Sequence, residues 1–214
     1  GPIVVTLFKY DSPMNEVSET ASVQSRLSSA ILDLVSHTPT STVKTSRTPE
    51  VAATGIANKA AAQAAMAAGS LALPPGLLGW ITIAPEIITV WRIQAAMVSD
   101  IAAVYGKSGA LNRESMIYCL FKHTAAQATR DLLVLVGERV IFKRATAQML
   151  QNMAQSIGIK VSQRAITKAA GRWVPLLGAA GVAGYAAYDT KQVAQAAIEL
   201  FSELEYETAN CFYE

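Results

Sequence analysis

The chain has 214 residues, of which 51% are apolar, 16% charged and 7% aromatic, and it carries a formal net charge of +2 at neutral pH. That length closes one sizeable core more readily than two, and so small a net charge excludes a nucleic-acid binder acting through its overall field. The two cysteines, Cys119 and Cys211, are far apart in sequence and show no CxxC spacing, so neither a zinc site nor a disulfide framework is implied.

Residues 3–8, IVVTLF, are β-prone but isolated and read as a tail. No basic region leading into a long apolar stretch and a small-residue cleavage site opens the chain, so a cytoplasmic protein, peripheral at the membrane, is expected. Over residues 15–35, Val23, Leu27, Ile31, Leu34 and Val35 recur at helical spacing and predict an amphipathic helix. Residues 37–47 are rich in Thr and Ser and lack periodicity, which predicts a linker. The division that follows is an N-terminal tail, helix and linker over 1–47 and a helical domain over 48–214. Thr48-Pro49-Glu50 supplies a cap, a first-turn proline and a first-turn acid for an alanine-rich helix to about Ala68. Leu73-Pro74-Pro75-Gly76 breaks the chain, and a second start is expected at Pro85-Glu86, with a helix to Tyr105 capped by Gly106. Asn112 is placed to cap a helix running through Val136. A helix over 139–157 with Gly158 as its stop, another from Ser162 to about Gly171, a short apolar segment over 175–188 and a final helix capped by Asp189 complete the chain. The expectation is an all-α fold, a single multi-helix bundle of seven or eight helices with Ala/Gly-rich close packing.

Two uncharged stretches raise the question of a membrane. Residues 60–85 contain no ionisable side chain and are long enough to cross a bilayer. Pro74-Pro75-Gly76 interrupts them where a spanning helix could least tolerate unpaired backbone groups, so a core or peripheral segment is expected. Residues 173–188 are short for a span and carry Gly178, Gly181 and Gly184, a smooth surface for helix contact. Membrane-dependent insertion is the alternative for both.

Between 139 and 172 there are seven basic residues and no acid. Lys160, Arg164, Lys168 and Arg172 are spaced by four, which aligns them along one side of a continuous helix, with Trp173 and Val174-Pro175-Leu176-Leu177 directly after them. Cations beside an aromatic and apolar residues suit an anionic lipid surface. Lys160, Arg164, Lys168 and Arg172 are therefore head-group candidates, and Trp80, Trp91, Trp173, Leu176 and Leu177 are the apolar or interfacial candidates. The competing reading pairs the same cations with the acids that follow, Asp189, Glu199, Glu203, Glu205, Glu207 and Glu214.

Catalytic motifs are missing from the sequence. His37 and His123 have no HxxxH or HExxH spacing, so no metal is expected, and no GxSxG elbow, P-loop or GxGxxG fingerprint occurs, so no cofactor is expected either. Glu86, Gln94, Asp100 and Asp131 interrupt apolar helices. They read as caps or satisfied polar groups, with a buried carboxylate of raised pKa as the functional alternative.

Pro74-Pro75-Gly76, Gly79, Pro85-Glu86, Gln94, Ile101 and Tyr105-Gly106, followed by Arg172 to Ala179, Gly181, Gly184, Val193-Ala194, Ala197 and Phe201, resemble the two signatures of the EcsC family over about residues 50–204. The polar residue expected shortly after the glycines is absent from Gly184-Tyr185-Ala186-Ala187-Tyr188. The resemblance implies a bacterial, helical, hydrophobic protein associated with membranes or lipids, and it transfers no catalytic residue. The resulting expectation is a non-enzymatic lipid- or membrane-interacting protein that binds an acyl chain or phospholipid, with an anionic lipid or membrane surface as partner and no nucleic acid. A protein-interaction or self-associating scaffold, hence a homo-oligomer, is the alternative. A hydrolase is the third class, and it requires buried carboxylates or a histidine to meet around a pocket.

Overall fold

Alanine at helical spacing decides how the central helices pack. In the computed structural model, which describes residues 13–71, 79–136, 139–169 and 175–210, with side chains over 18, 20–70, 83–133, 141–165 and 180–203, helix α2 (Pro49–Leu71) buries Ala53, Ala57, Ala60, Ala61, Ala64 and Ala68. These methyl-sized side chains let α2 lie close against α3 (Gly79–Val104) and α7 (Pro175–Asn210). Helix α7 answers with Ala186, Ala194, Ala196 and Ala197, and with Val193, Leu200 and Phe201. The fold is all-α, with seven α-helices among the described residues.

Helix α1 (Pro13–Ser36) follows the predicted stripe. Val23, Leu27, Ile31, Leu34 and Val35 are all buried, and they enter the same core as α3, α4 (Arg113–Phe121) and α6 (Ala147–Ala169). The segment between α1 and α2 is tied across the end of α3: the Ser46 amide donates to the Val104 carbonyl at 2.9 Å and the Ser41 hydroxyl to Asp100 Oδ1 at 2.6 Å.

Two predicted caps form. Gly106 closes α3 at φ +69°, with its amide on the Ala103 carbonyl and that of Lys107 on the Ala102 carbonyl, the paired bonds of a Schellman stop. Asn112 accepts from the Ser115 amide while Ser115 Oγ accepts from the Asn112 amide, a reciprocal capping box.

Six predicted boundaries fall differently, among them the helix start expected at 139, where a strand lies and α6 begins only at Ala147. The helix opened by Asn112 ends at Phe121, and a short helix α5 (Ala126–Arg130) precedes an antiparallel hairpin of β1 (Leu133–Val136) and β2 (Arg139–Phe142), registered Leu133 to Phe142 and Val136 to Arg139. Two β-branched runs on either side of Gly137 are the missed signal. Pro85 lies inside α3, which starts at Gly79. Burial of Ile83, Ala84, Val90 and Trp91 holds the helix through the missing amide. Gly158 does not stop α6 and Ser162 does not start a new helix, because both are interior to it. Asp189 caps nothing and lies mid-way along α7.

Candidate functional site

The basic segment first. On α6, Leu150, Met153, Ala154, Ile157, Gly158 and Ser162 are buried, and Lys160 and Arg164 flank that stripe, half-buried and exposed respectively. Among the described residues no ion pair joins Lys143, Arg144, Lys160 or Arg164 to a carboxylate. Of the acids on α7, Glu199 takes Lys122 at 2.9 Å and Asp189 takes His123 at 2.7 Å. Arg164 instead lies close enough to Tyr185 on α7 for its charge to act on the phenol. Burial and the Asp189 charge push the Tyr185 phenol up, and Arg164 opposes them. Tyr185 is 42% exposed and Tyr188 61%, one turn apart on a side of α7 that also presents Gly181, Gly184 and Lys191 to solvent.

Beside this face lies a polar joint built from three helical segments. Gln94 is fully buried on α3 and donates through Nε2 to Asp189 Oδ2 at 2.7 Å and to Thr190 Oγ1 at 3.2 Å. His123, in the turn after α4, holds Asp189 Oδ1 through Nε2 at 2.7 Å. Both oxygens of Asp189 are thus engaged. The cost is visible at Gln94, whose Oε1 is buried with no partner among the described residues, a loss of about 1–3 kcal/mol for such an acceptor.

The same turn borders a groove of about 410 Å³ between α4–α5 and α7, lined by Tyr118, Lys122, His123, Arg130, Gln192 and Glu199 among others. Lys122 Nζ donates to Glu199 and sits 5.3 Å from the centre of the Tyr118 ring. Burial pulls the Lys122 pKa down, but hydrogen bonds and charge from Glu199 and Tyr118 outweigh it and leave the ammonium above its usual range. The bond to Lys122 holds the Glu199 carboxyl below its own.

The predicted site residues divide. Lys160 and Arg164 are on one helix and flank one face. Trp91 is 5% exposed and meets Phe121 edge-on at 5.1 Å, so it is a core residue with no interfacial surface. Lys168, Trp80, Leu176 and Leu177 belong to helices, but their side chains lie outside the described residues, as do Arg172 and Trp173 altogether. Among the described residues, a Cβ on Gly181 or Gly184 would meet nothing within 4 Å, so no close helix contact is seen at either. Of the polar interruptions, Gln94 joins the Asp189 cluster, Asp100 accepts from Ser41, Glu86 is buried within α3 and Asp131 is exposed after α5.

Sequence reasoning missed three contributors. Tyr185 and Tyr188 were passed over inside an apolar run, and Glu114, buried on α4, accepts from the Ala145 amide at 2.9 Å. The His123 pairing spans 66 positions, so no local spacing could announce it.

Helix α3 is long and apolar enough to cross a membrane over Ile83–Val104, and 61% of that window is buried against the protein's own helices. Among the described residues no group of three or more His, Cys, Asp or Glu is placed to hold a metal ion. No family model, no curated protein and no solved structure matches the chain.

Proposed function

We propose that the chain binds an anionic lipid surface through Lys160 and Arg164 of α6 together with Tyr185 and Tyr188 of α7. The observation that carries this reading is the pairing of chemistries there: Lys160 and Arg164 have no carboxylate partner among the described residues, and Arg164 lies near the exposed Tyr185, one turn from the exposed Tyr188. Tyrosine carries an apolar ring with a polar tip and favours the boundary between hydrocarbon and water. Cations near an anionic surface contribute about 1 kcal/mol each. The uncharged stretches of the sequence and its resemblance to the EcsC family support the same reading. The tyrosines take the interfacial role first assigned to Trp91.

Vesicle flotation tests it. The chain is expected to float with phosphatidylglycerol-containing vesicles and not with pure phosphatidylcholine, and to lose binding at about 0.5 M salt, where screening shortens to a few ångströms. Lys160→Gln with Arg164→Gln is expected to weaken binding about thirtyfold, the equivalent of two cations at about 1 kcal/mol each. Tyr185→Ala with Tyr188→Ala weakens the salt-resistant remainder. Flotation indifferent to lipid charge, or unchanged in the Lys160/Arg164 variant, overturns the reading. A lipid-independent oligomer that fails to float supports a self-associating scaffold instead.

A further inference from the structure

The groove between α4–α5 and α7 has a chemical capacity that the lipid-surface reading does not use and that stands independently of it. Its lining includes His123, whose Nε2 is on Asp189 Oδ1, and does not include Asp189 itself. His123 is an exposed residue, with 21% of its side chain open to solvent, and the Asp189 side chain is 16% exposed. An ionised carboxylate can only accept, so the 2.7 Å contact places the proton of a neutral ring on Nε2 and leaves the lone pair on Nδ1. Nδ1 has no hydrogen-bond partner among the described residues. Gln94 fixes the carboxylate from the other side at 2.7 Å, and its own buried Oε1 has no partner among the described residues. A base nitrogen at a groove wall, backed by a carboxylate that is itself positioned, is the arrangement that general-base chemistry requires.

We propose that His123, held by Asp189, is the general base of a hydrolytic site in this groove acting on small carboxylic esters. The attacking group is water, because the Thr129 hydroxyl in the groove is committed to the Ala125 and Ala126 carbonyls and no other described lining residue is a serine or cysteine. Nδ1 takes a proton from water as the water oxygen bonds to the carbonyl carbon and the carbonyl electron pair moves onto its oxygen. When that pair returns, the carbon–oxygen bond to the alcohol breaks, and the departing oxygen takes the proton back from Nδ1. One ester and one water become one carboxylic acid and one alcohol, and His123 regains its starting tautomer. An ester fits better than a multiply charged substrate because Lys122 is balanced by Glu199, while Leu133 and Ala196 give part of the groove an apolar wall. Arg130 is the cation on the groove that has no carboxylate partner among the described residues and is available to the developing oxyanion. The volume, about 410 Å³, lies within the range of small-molecule sites.

The test uses the full chain without vesicles, with p-nitrophenyl acetate and butyrate as probes and free imidazole at equal concentration as reference. Turnover above imidazole is expected. His123→Gln should lower kcat by about a hundredfold or more, the usual contribution of a positioned base. Asp189→Asn should lower kcat with little change in KM, because it releases the tautomer while leaving the groove intact. Nitrogen-15 NMR of the unaltered chain, which has only two histidines, gives a readout that no folding defect can disturb: His123 should show the Nε2–H tautomer at mildly alkaline pH. Turnover no greater than imidazole, turnover retained in a folded His123→Gln chain, or an Nδ1–H tautomer each overturns the proposal.

Discussion

At the scale of single residues, burial decides which groups are chemically available. Cys119 is fully buried on α4, and desolvation pushes its thiol up to about 12 against the smaller opposing charge of Lys122. Only the thiolate is nucleophilic, so at pH 8 a group titrating near 12 exposes roughly one part in ten thousand of reactive form. In a Cys211→Ser chain the native protein should therefore fail to react with a disulfide reagent at pH 8, and denaturant should release one full equivalent. Prompt reaction of the folded chain would show that the turn after α4 opens readily, and with it the setting of His123. The same principle separates Trp91 from Tyr185 and Tyr188. Both kinds of side chain are amphipathic, but the indole is locked against Phe121 and the tyrosines stand at the surface.

At the scale of elements, close approach explains why Gly158 is not a helix stop. A Cβ at this position would lie 2.5 Å from Ser28 Oγ and 3.1 Å from the Gln24 carbonyl, so α1 and α6 cross where only hydrogen fits. Gly158→Ala gains about 1 kcal/mol of helix propensity but incurs about 1–3 kcal/mol of overpacking, and the net expectation is a lower melting temperature. Ser28→Ala removes the nearest atom, so the double variant should be more stable than the two single changes predict by addition. Gly158→Ala alone at or above the stability of the parent chain would mean that the helices part without cost. The example also shows what the sequence could tell. Local devices were legible: the alanine stripe of α2, the apolar stripe of α1, the Gly106 stop and the Asn112 cap all act within a turn or two of their own position. Gly158, Ser162 and Asp189 resemble breaks and caps by residue type, but each is explained by a partner or packing inside a continuous helix, such as Ser28 against Gly158 or His123 and Gln94 on Asp189. The hairpin after α5 was signalled only by the β-branched residues on either side of Gly137, and its apolar residues also continue the helical stripe of α4, which masked that signal. Of the basic stripe, the spacing of Lys160 and Arg164 was readable, whereas their tyrosine neighbours depended on how α7 packs.

At the scale of the whole molecule, the question is whether α1 adds to the fold or is part of it. A linker rich in Thr and Ser suggests a detachable helix, yet the contacts argue for integration. Leu27 is completely buried, Ile31 nearly so, and both share one apolar cluster with Met97 and Ile101 of α3, Met116 and Leu120 of α4, and Ile157 of α6. The linker itself is pinned to α3 through Ser46 and Ser41. If α1 is integral, removing volume at Leu27 lowers the stability of every element that shares the cavity. Leu27→Ala should then cost about 2–5 kcal/mol in denaturant unfolding, the range for a buried leucine whose surroundings relax only partly. Amide hydrogen exchange supplies the decisive measurement, because in a cooperative unit the slowest amides of α3, α4 and α6 lose protection by the same free energy. Should the variant instead melt α1 in a separate early transition while amides in α3 and α7 keep their full protection, the helix would be an accessory layer on a core formed without it. The face of α6 that packs on α1 would then open before the rest of the molecule unfolds, and the proposed lipid-binding surface would have to be sought on both sides of that helix.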